Sequence, residues 1–189
     1  MYHIKNDKRA YASVELICSS LFELLKTTPF EQITISDIQR MSTVSRSTFY
    51  RNFDCIEDVL MLLCDRSFDA AFKRAEETGE EIRVAVFRYW FENVTLLETI
   101  VRIHRTDILT ESLRRSEQVE RYFRPYIKDE TVFDYFSGII ASAMVGILST
   151  WIEHGKVESE EQVIQNTQKA FAKLVTLGIM GKYRIKKSK

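Results

Sequence analysis

Residues 34–53, TISDIQRMSTVSRSTFYRNF, constrain the fold of this chain more than any other stretch. Thr34 and Asp37 stand at capping-box spacing: the hydroxyl accepts a free backbone N–H, and the carboxylate complements the helix dipole. Ile35 and Ile38 then share one helical face. Met41, Ser42, Thr43 and Val44 read as a turn, with Val44 an apolar plug between two helices. Ser45 suits the N-cap of the second helix. In that helix Phe49 and Phe53 lie four apart and face inward. This leaves Arg46, Ser47, Tyr50 and Arg51 on other faces, available to a partner. Asp54 with Glu57 repeats the capping spacing and opens the next helix. Caps and apolar positions agree throughout, which predicts a helix-turn-helix that reads DNA.

The rest of the chain supports an all-helical reading. Its 189 residues suffice for one or two small domains with a sizeable core. Two Pro and six Gly are few, and strand-type alternation is scarce. The three Cys, at 18, 55 and 64, form no CxxC or Cys/His cluster, so neither a metal site nor a disulfide framework is expected. Scattered thiols suit a reducing cytoplasm, and the polar start, MYHIKNDKRAY, does not read as a signal peptide. No cofactor motif is present.

Formal net charge is zero, but its distribution is uneven. Residues 1–53 carry seven Lys/Arg against five Asp/Glu, and residues 54–181 carry fifteen against twenty-two. The tail, 182–189, carries five basic residues and no acid. Most of the chain therefore repels phosphate while the N-terminal part attracts it weakly, so binding to DNA should be oriented and salt-sensitive. The tail reads as a solubilising terminus, with a DNA-contacting arm as the alternative.

Apolar periodicity places a first helix at about 7–27, carrying Val14, Ile17, Cys18, Leu21 and Leu25 on one stripe and followed by Pro29. A fourth helix is expected at 55–77, ended by Thr78 and Gly79. A strongly apolar helix should span 81–104, a less regular region 106–129 with Pro125 as a break, and two long helices 132–154 and 159–180. Residues 135–152 carry no charge, so a membrane span has to be weighed. Within that run Gly138, Ser142, Gly146 and Thr150 put a small residue at every fourth position, which lets a second helix approach closely. A helix apolar all round is buried by its own domain on one side and by a partner on the other. We read it as half of a homodimer interface rather than a membrane span.

Residues 33–38 (ITISDI) and 44–53 (VSRSTFYRNF) resemble the TetR family of bacterial transcriptional regulators, whose N-terminal pattern runs roughly ITxxDIAxxAGVSxGTxYxHF. Phe30 and the residues 57–60 fit as well, and the match covers about the first third of the chain. The resemblance implies an all-α protein. An N-terminal three-helix DNA-binding domain, 1–54, would join a helical effector-binding and dimerisation domain, 55–189, with helix 55–77 connecting the two. It also implies dimerisation through the last two long helices. Several residues depart from those usual in the family, and four bear on the turn or on contact with DNA. Thr43 stands for Gly in a turn that favours left-handed backbone, where Thr costs energy or forces a different turn. Met41 replaces a small Ala and needs room against the neighbouring helix. Asn52 replaces His. Ile56 replaces Lys, removing an expected phosphate contact.

On this reading the partner is double-stranded DNA, and the contacting residues are Thr34, Ser36, Ser45, Arg46, Ser47, Thr48, Tyr50 and Arg51. Arg46 is the candidate for a bidentate guanine contact, while Thr48 and Tyr50 bond phosphate. A dimer suits a palindromic operator, with recognition helices about 34 Å apart in successive major grooves. Tyr89, Trp90, His104, Tyr122, Tyr126 and Tyr135 are the candidate walls and polar handles of an effector pocket. The implied function is a repressor released by a small molecule. Two other readings stand beside it: control by a protein partner, and a helical enzyme, for which no motif speaks.

Overall fold

The computed structural model describes residues 2–179, and among them it contains ten α-helices and no strand. The basic tail at 182–189 lies outside the described residues.

Asp7 caps α1 (Lys8–Leu25) by accepting the N–H groups of Arg9 and Ala10. A 3-10 turn at Phe30–Gln32 leads into α2 (Ile35–Ser42), and α3 (Arg46–Tyr50) follows after the turn. These three helices close around Val14, Ile17, Leu21, Ile38, Val44, Phe49 and Phe53, all buried. Phe49 and Phe53 pack with ring centroids 5.6 Å apart, as their i, i+4 spacing requires.

The long α4 (Ile56–Thr78) packs on α1 and also on α5, α6 and α7, and Gly79 ends it with a φ of 68°. Its start differs from the Asp54–Glu57 expectation. Cys55 is the N-cap, and the Asp58 carboxylate accepts the N–H groups of both Asp54 and Cys55. The expected helix over 81–104 is two, α5 (Ile82–Glu92) and α6 (Val94–Arg102). Asn93 separates them with φ −113° and ψ 46°, and its side-chain amide donates to the Tyr89 carbonyl at 2.9 Å. A short polar side chain competing for the backbone breaks a helix that apolar periodicity alone would continue.

The region expected to be irregular holds α7 (Thr106–Arg114) and α8 (Glu117–Phe123), the second capped by Ser116. α9 (Glu130–Glu153) is capped by Asp129, and α10 (Glu160–Thr176) by a Ser159–Gln162 capping box. Trp90 is fully buried and meets Phe68 edge-on at 5.2 Å, tying α5 to α4. One continuous apolar cluster runs from Val14 in α1 through α4 to Val163 in α10.

Candidate nucleic-acid interface

The helix-turn-helix is held by local polar bonds. The Thr34 hydroxyl accepts the Asp37 N–H at 3.2 Å and itself donates to the Asp37 carboxylate, which also accepts the Thr34 N–H at 2.9 Å. These bonds hold the Asp37 carboxyl below the usual carboxylate range, helped by Arg40, which pairs with it. Thr43 adopts the left-handed region at φ 59° and ψ 7°, so the chain makes the Gly-type turn with a threonine. The Ser42 hydroxyl accepts the Val44 N–H and steadies that turn. Ser45 caps α3 by accepting the Thr48 N–H at 3.2 Å, and its hydroxyl lies 3.0 Å from that of Ser47 and 2.9 Å from that of Thr48.

Of the eight residues expected at DNA, seven are exposed and Thr48 is half-buried. Ser45, Arg46, Ser47, Thr48, Tyr50 and Arg51 come together along α3 and its two ends. The Arg46 guanidinium sits over the Tyr50 ring, 5.7 Å from its centroid, and a guanidinium N–H donates to the Tyr50 hydroxyl at 3.4 Å. A guanidinium held beside an aromatic ring keeps further donors with which arginine binds guanine edges or phosphate. Thr34 and Ser36 lie at the start of α2, where Thr34 commits its hydroxyl to Asp37.

The six residues expected to wall an effector pocket do not gather. Trp90 is core, Tyr89 is half-buried beside it, and His104 is exposed between α6 and α7. Tyr122 is exposed, Tyr126 is 80% exposed and Tyr135 is 72% exposed. Only Tyr135 borders a large cavity, and that cavity is an open groove of about 890 Å³ between α9 and α10. Aromatic residues scattered through a helical sequence satisfy core packing and surface alike, so composition did not single out a common wall.

The small-residue stripe, by contrast, shares one site. Gly138, Ser142, Gly146 and Thr150 all line the groove, faced by Ala170, Phe171 and Leu174 of α10. The opposite face of α9, with Phe133, Ala141, Val145 and Leu148, is buried within the chain. α9 is long and apolar enough to cross a membrane by length and composition, and only 28% of its most apolar stretch is buried.

A polar cluster that sequence reasoning missed lies where the N-terminal segment meets α4 and α7. The Tyr2 hydroxyl donates to Asp65 at 2.6 Å, the Ser112 hydroxyl donates to the other carboxylate oxygen, and Arg115 donates at 2.6 Å. Burial first, and the Asp65 carboxylate second, push the Tyr2 phenol up to about 12. These partners lie some fifty residues or more from Asp65, or at the chain's start, so no local pattern announces them. Among the described residues no group of three or more His, Cys, Asp or Glu is arranged to hold a metal ion.

No family model and no curated protein matches the sequence. The structure, however, is similar to that of a TetR transcriptional regulator from Streptococcus agalactiae 2603V. That likeness has a TM-score of 0.59 at 20% identity and covers 87% of this chain and 96% of that one. The chain has the TetR fold. The dihydroxyacetone kinase operon activator DhaS is similar too, with a TM-score of 0.54 at 17% identity, covering 87% of this chain and 97% of its own.

Set within the TetR fold, the four departures from the family pattern are each accommodated locally. Met41 is 49% exposed and needs no room against a neighbouring helix, contrary to expectation: the small Ala of the pattern aligns with Ser42, which is buried. Asn52 is buried and donates to the Thr48 carbonyl at 2.8 Å. Ile56 packs against the core from the first turn of α4 and brings no charge. Thr43 alone carries a backbone penalty. A left-handed conformation costs a residue with a Cβ roughly 1–2 kcal/mol, and glycine gives back part of that gain as chain entropy, about 0.5–1 kcal/mol. Thr43 is exposed and its replacement removes no core contact. Thr43→Gly is therefore expected to stabilise the protein by about 0.5–1 kcal/mol in urea unfolding. A loss of stability would show that this turn carries no strain.

Proposed function

We propose that the protein is a transcriptional regulator that binds a palindromic DNA operator as a homodimer. The observation that carries this reading is the α3 surface. A capped helix of the helix-turn-helix presents Arg46, Ser47, Tyr50 and Arg51 to solvent while Phe49 and Phe53 anchor it from behind. Arg46 reads a base edge, and Thr48 and Tyr50 hold phosphate and set the register. The open α9–α10 groove seats the second copy, whose small residues meet those of the first across a two-fold axis.

The regulatory cycle is that of a two-state dimer. One arrangement spaces the two α3 helices for successive major grooves, and the other splays them. A ligand with differential affinity for the second releases DNA. α4, packed on both α1 and α7, carries the shift. Repression is the simplest outcome of such a cycle when the operator overlaps a promoter.

One observation favours control by a protein partner over control by a metabolite. The six aromatic and histidine residues expected around an effector share no cavity, and the apolar groove on α9 and α10 takes a different protein where no second copy fills it. Light scattering across a concentration range separates the two occupants of that groove. A stable dimer assigns it to a second copy, and a monomer leaves it to a different protein.

The test of DNA reading is selection of bound duplexes from a random pool, with Arg46→Ala and Tyr50→Ala beside the parent. The parent should enrich a palindrome. Arg46→Ala should relax one position in each half-site by about 1–3 kcal/mol of discrimination. Tyr50→Ala should weaken binding to every sequence alike and reduce its salt dependence little, since it removes no charge. No enrichment by the parent, or binding indifferent to both substitutions, overturns the reading.

A further inference from the structure

The segment ahead of α1 does more than lead into that helix. Its backbone is pinned just beyond the recognition helix: the His3 N–H donates to the Asn52 carbonyl at 2.9 Å, and Asn52 in turn donates through its side chain to Thr48 within α3. One residue earlier, Tyr2 reaches to Asp65 in the middle of α4, beside the guanidinium of Arg115, the C-cap of α7. Tyr2 and Ile4 also pack on the apolar cluster, and Asp7 anchors the far end as the cap of α1. Residues 2 and 3 therefore link the chain just beyond α3 to a contact shared by α4 and the end of α7, and residues 4–7 tie that link to α1.

Asp65 is the centre of that contact. Its side chain is 17% exposed and accepts from Tyr2, Ser112 and Arg115, while the Arg115 guanidinium stands 5.6 Å from the Tyr2 ring centroid. The Tyr2 and Arg115 bonds end on the same carboxylate oxygen. A carboxylate removed from water needs its partners, so a shift of α7 that withdraws Arg115 alters the hold on Tyr2 as well. Covalent connection through Asp54 and α4 is one link between the two halves of the molecule. The segment is a second, and it ends on the backbone of the residue two beyond α3.

We propose that the N-terminal segment is a strap by which α7 sets the position of α3, with Asp65 as its clasp and Tyr2 as a positioning residue for DNA binding. The proposal rests on the DNA-binding reading of α3. It adds a route by which the second domain reaches the recognition helix. Tyr2 itself touches no DNA in this scheme; it acts through His3 and Asn52.

The test uses the full chain and Tyr2→Phe, which keeps the packed ring and removes only the hydroxyl. Amide hydrogen exchange without DNA reads the strap directly. Exchange should quicken in peptides covering 2–6 and 46–53 and stay unchanged in α9. Titration against the selected operator reads its consequence. Tyr2→Phe should bind about five- to tenfold more weakly, the size of a modest coupling between sites, with its far-UV spectrum equal to the parent's. Substituting Arg115 to Gln in the Tyr2→Phe background should then cost less affinity than in the parent, because the clasp is already open. Unchanged exchange at 46–53 overturns the strap. Quickened exchange with parental operator affinity overturns the positioning role. A parent that enriches no duplex overturns the DNA reading, and the positioning role with it, while exchange still decides whether the strap holds α3.

Discussion

Gly146→Leu is expected to leave the protomer folded while strongly weakening its self-association. A Cβ built on Gly146 meets nothing within 4 Å, and the same holds for Gly138. Glycine inside a helix costs about 0.5–1 kcal/mol relative to alanine, so a helix-forming residue at 146 should raise the thermal midpoint of the isolated protomer slightly. The groove that Gly146 lines is where a second α9 has to approach closely. Overpacking a fitted contact costs typically 1–3 kcal/mol, and a two-fold axis counts it twice, so association should weaken by about thirtyfold or more. Sedimentation or light scattering reads the dimer, and operator binding should fall with it because one half-site alone holds few contacts. An intact Gly146→Leu dimer would remove the groove from the interface.

The same position shows why one helix face was legible in advance, while a common wall for the six residues expected around an effector was not. A small residue at every fourth position is a statement about one helix face, and helical geometry carries it unchanged into the structure, where all four residues line one groove. The helix-turn-helix was readable for a similar reason: Thr34–Asp37, Ser45, Phe49 and Phe53 interact within a few residues of each other. Thr43 even keeps the left-handed turn that its side chain disfavours, because the caps and apolar plugs on both sides agree on it. What failed depended on distant partners or on a single competing side chain. Asn93 splits the apolar helix in two through one bond to the Tyr89 carbonyl, against a periodicity that continues past it. The six proposed pocket residues were chosen by type, and type does not say which aromatic is core, like Trp90, and which is solvent-facing, like Tyr126. The Asp65 cluster joins residues 63, 47 and 50 positions apart and left no trace in local pattern.

Phe53→Ala is expected to lower the stability of the whole protein, not of its N-terminal third alone. Phe53 is fully buried against Phe49 at the end of the helix-turn-helix, and Phe→Ala in such a site costs about 3–5 kcal/mol. A domain of this kind holds about 5–15 kcal/mol in total, so the loss is a large share of it. The two tryptophans, Trp90 and Trp151, both lie beyond α4 and report on the second part of the chain. Trp151 stacks on Phe91 at 3.9 Å and donates to the Glu158 carbonyl, an environment that unfolding changes sharply. Because one apolar cluster runs from α1 through α4 to α10, the tryptophan transition in urea should move to lower denaturant together with the loss of helicity. Coincident curves with a reduced midpoint and an unchanged slope are the expected result. Early loss of helicity with an unmoved tryptophan transition would show instead that α1–α3 unfold on their own, and that α4 passes less between the two halves than its packing implies.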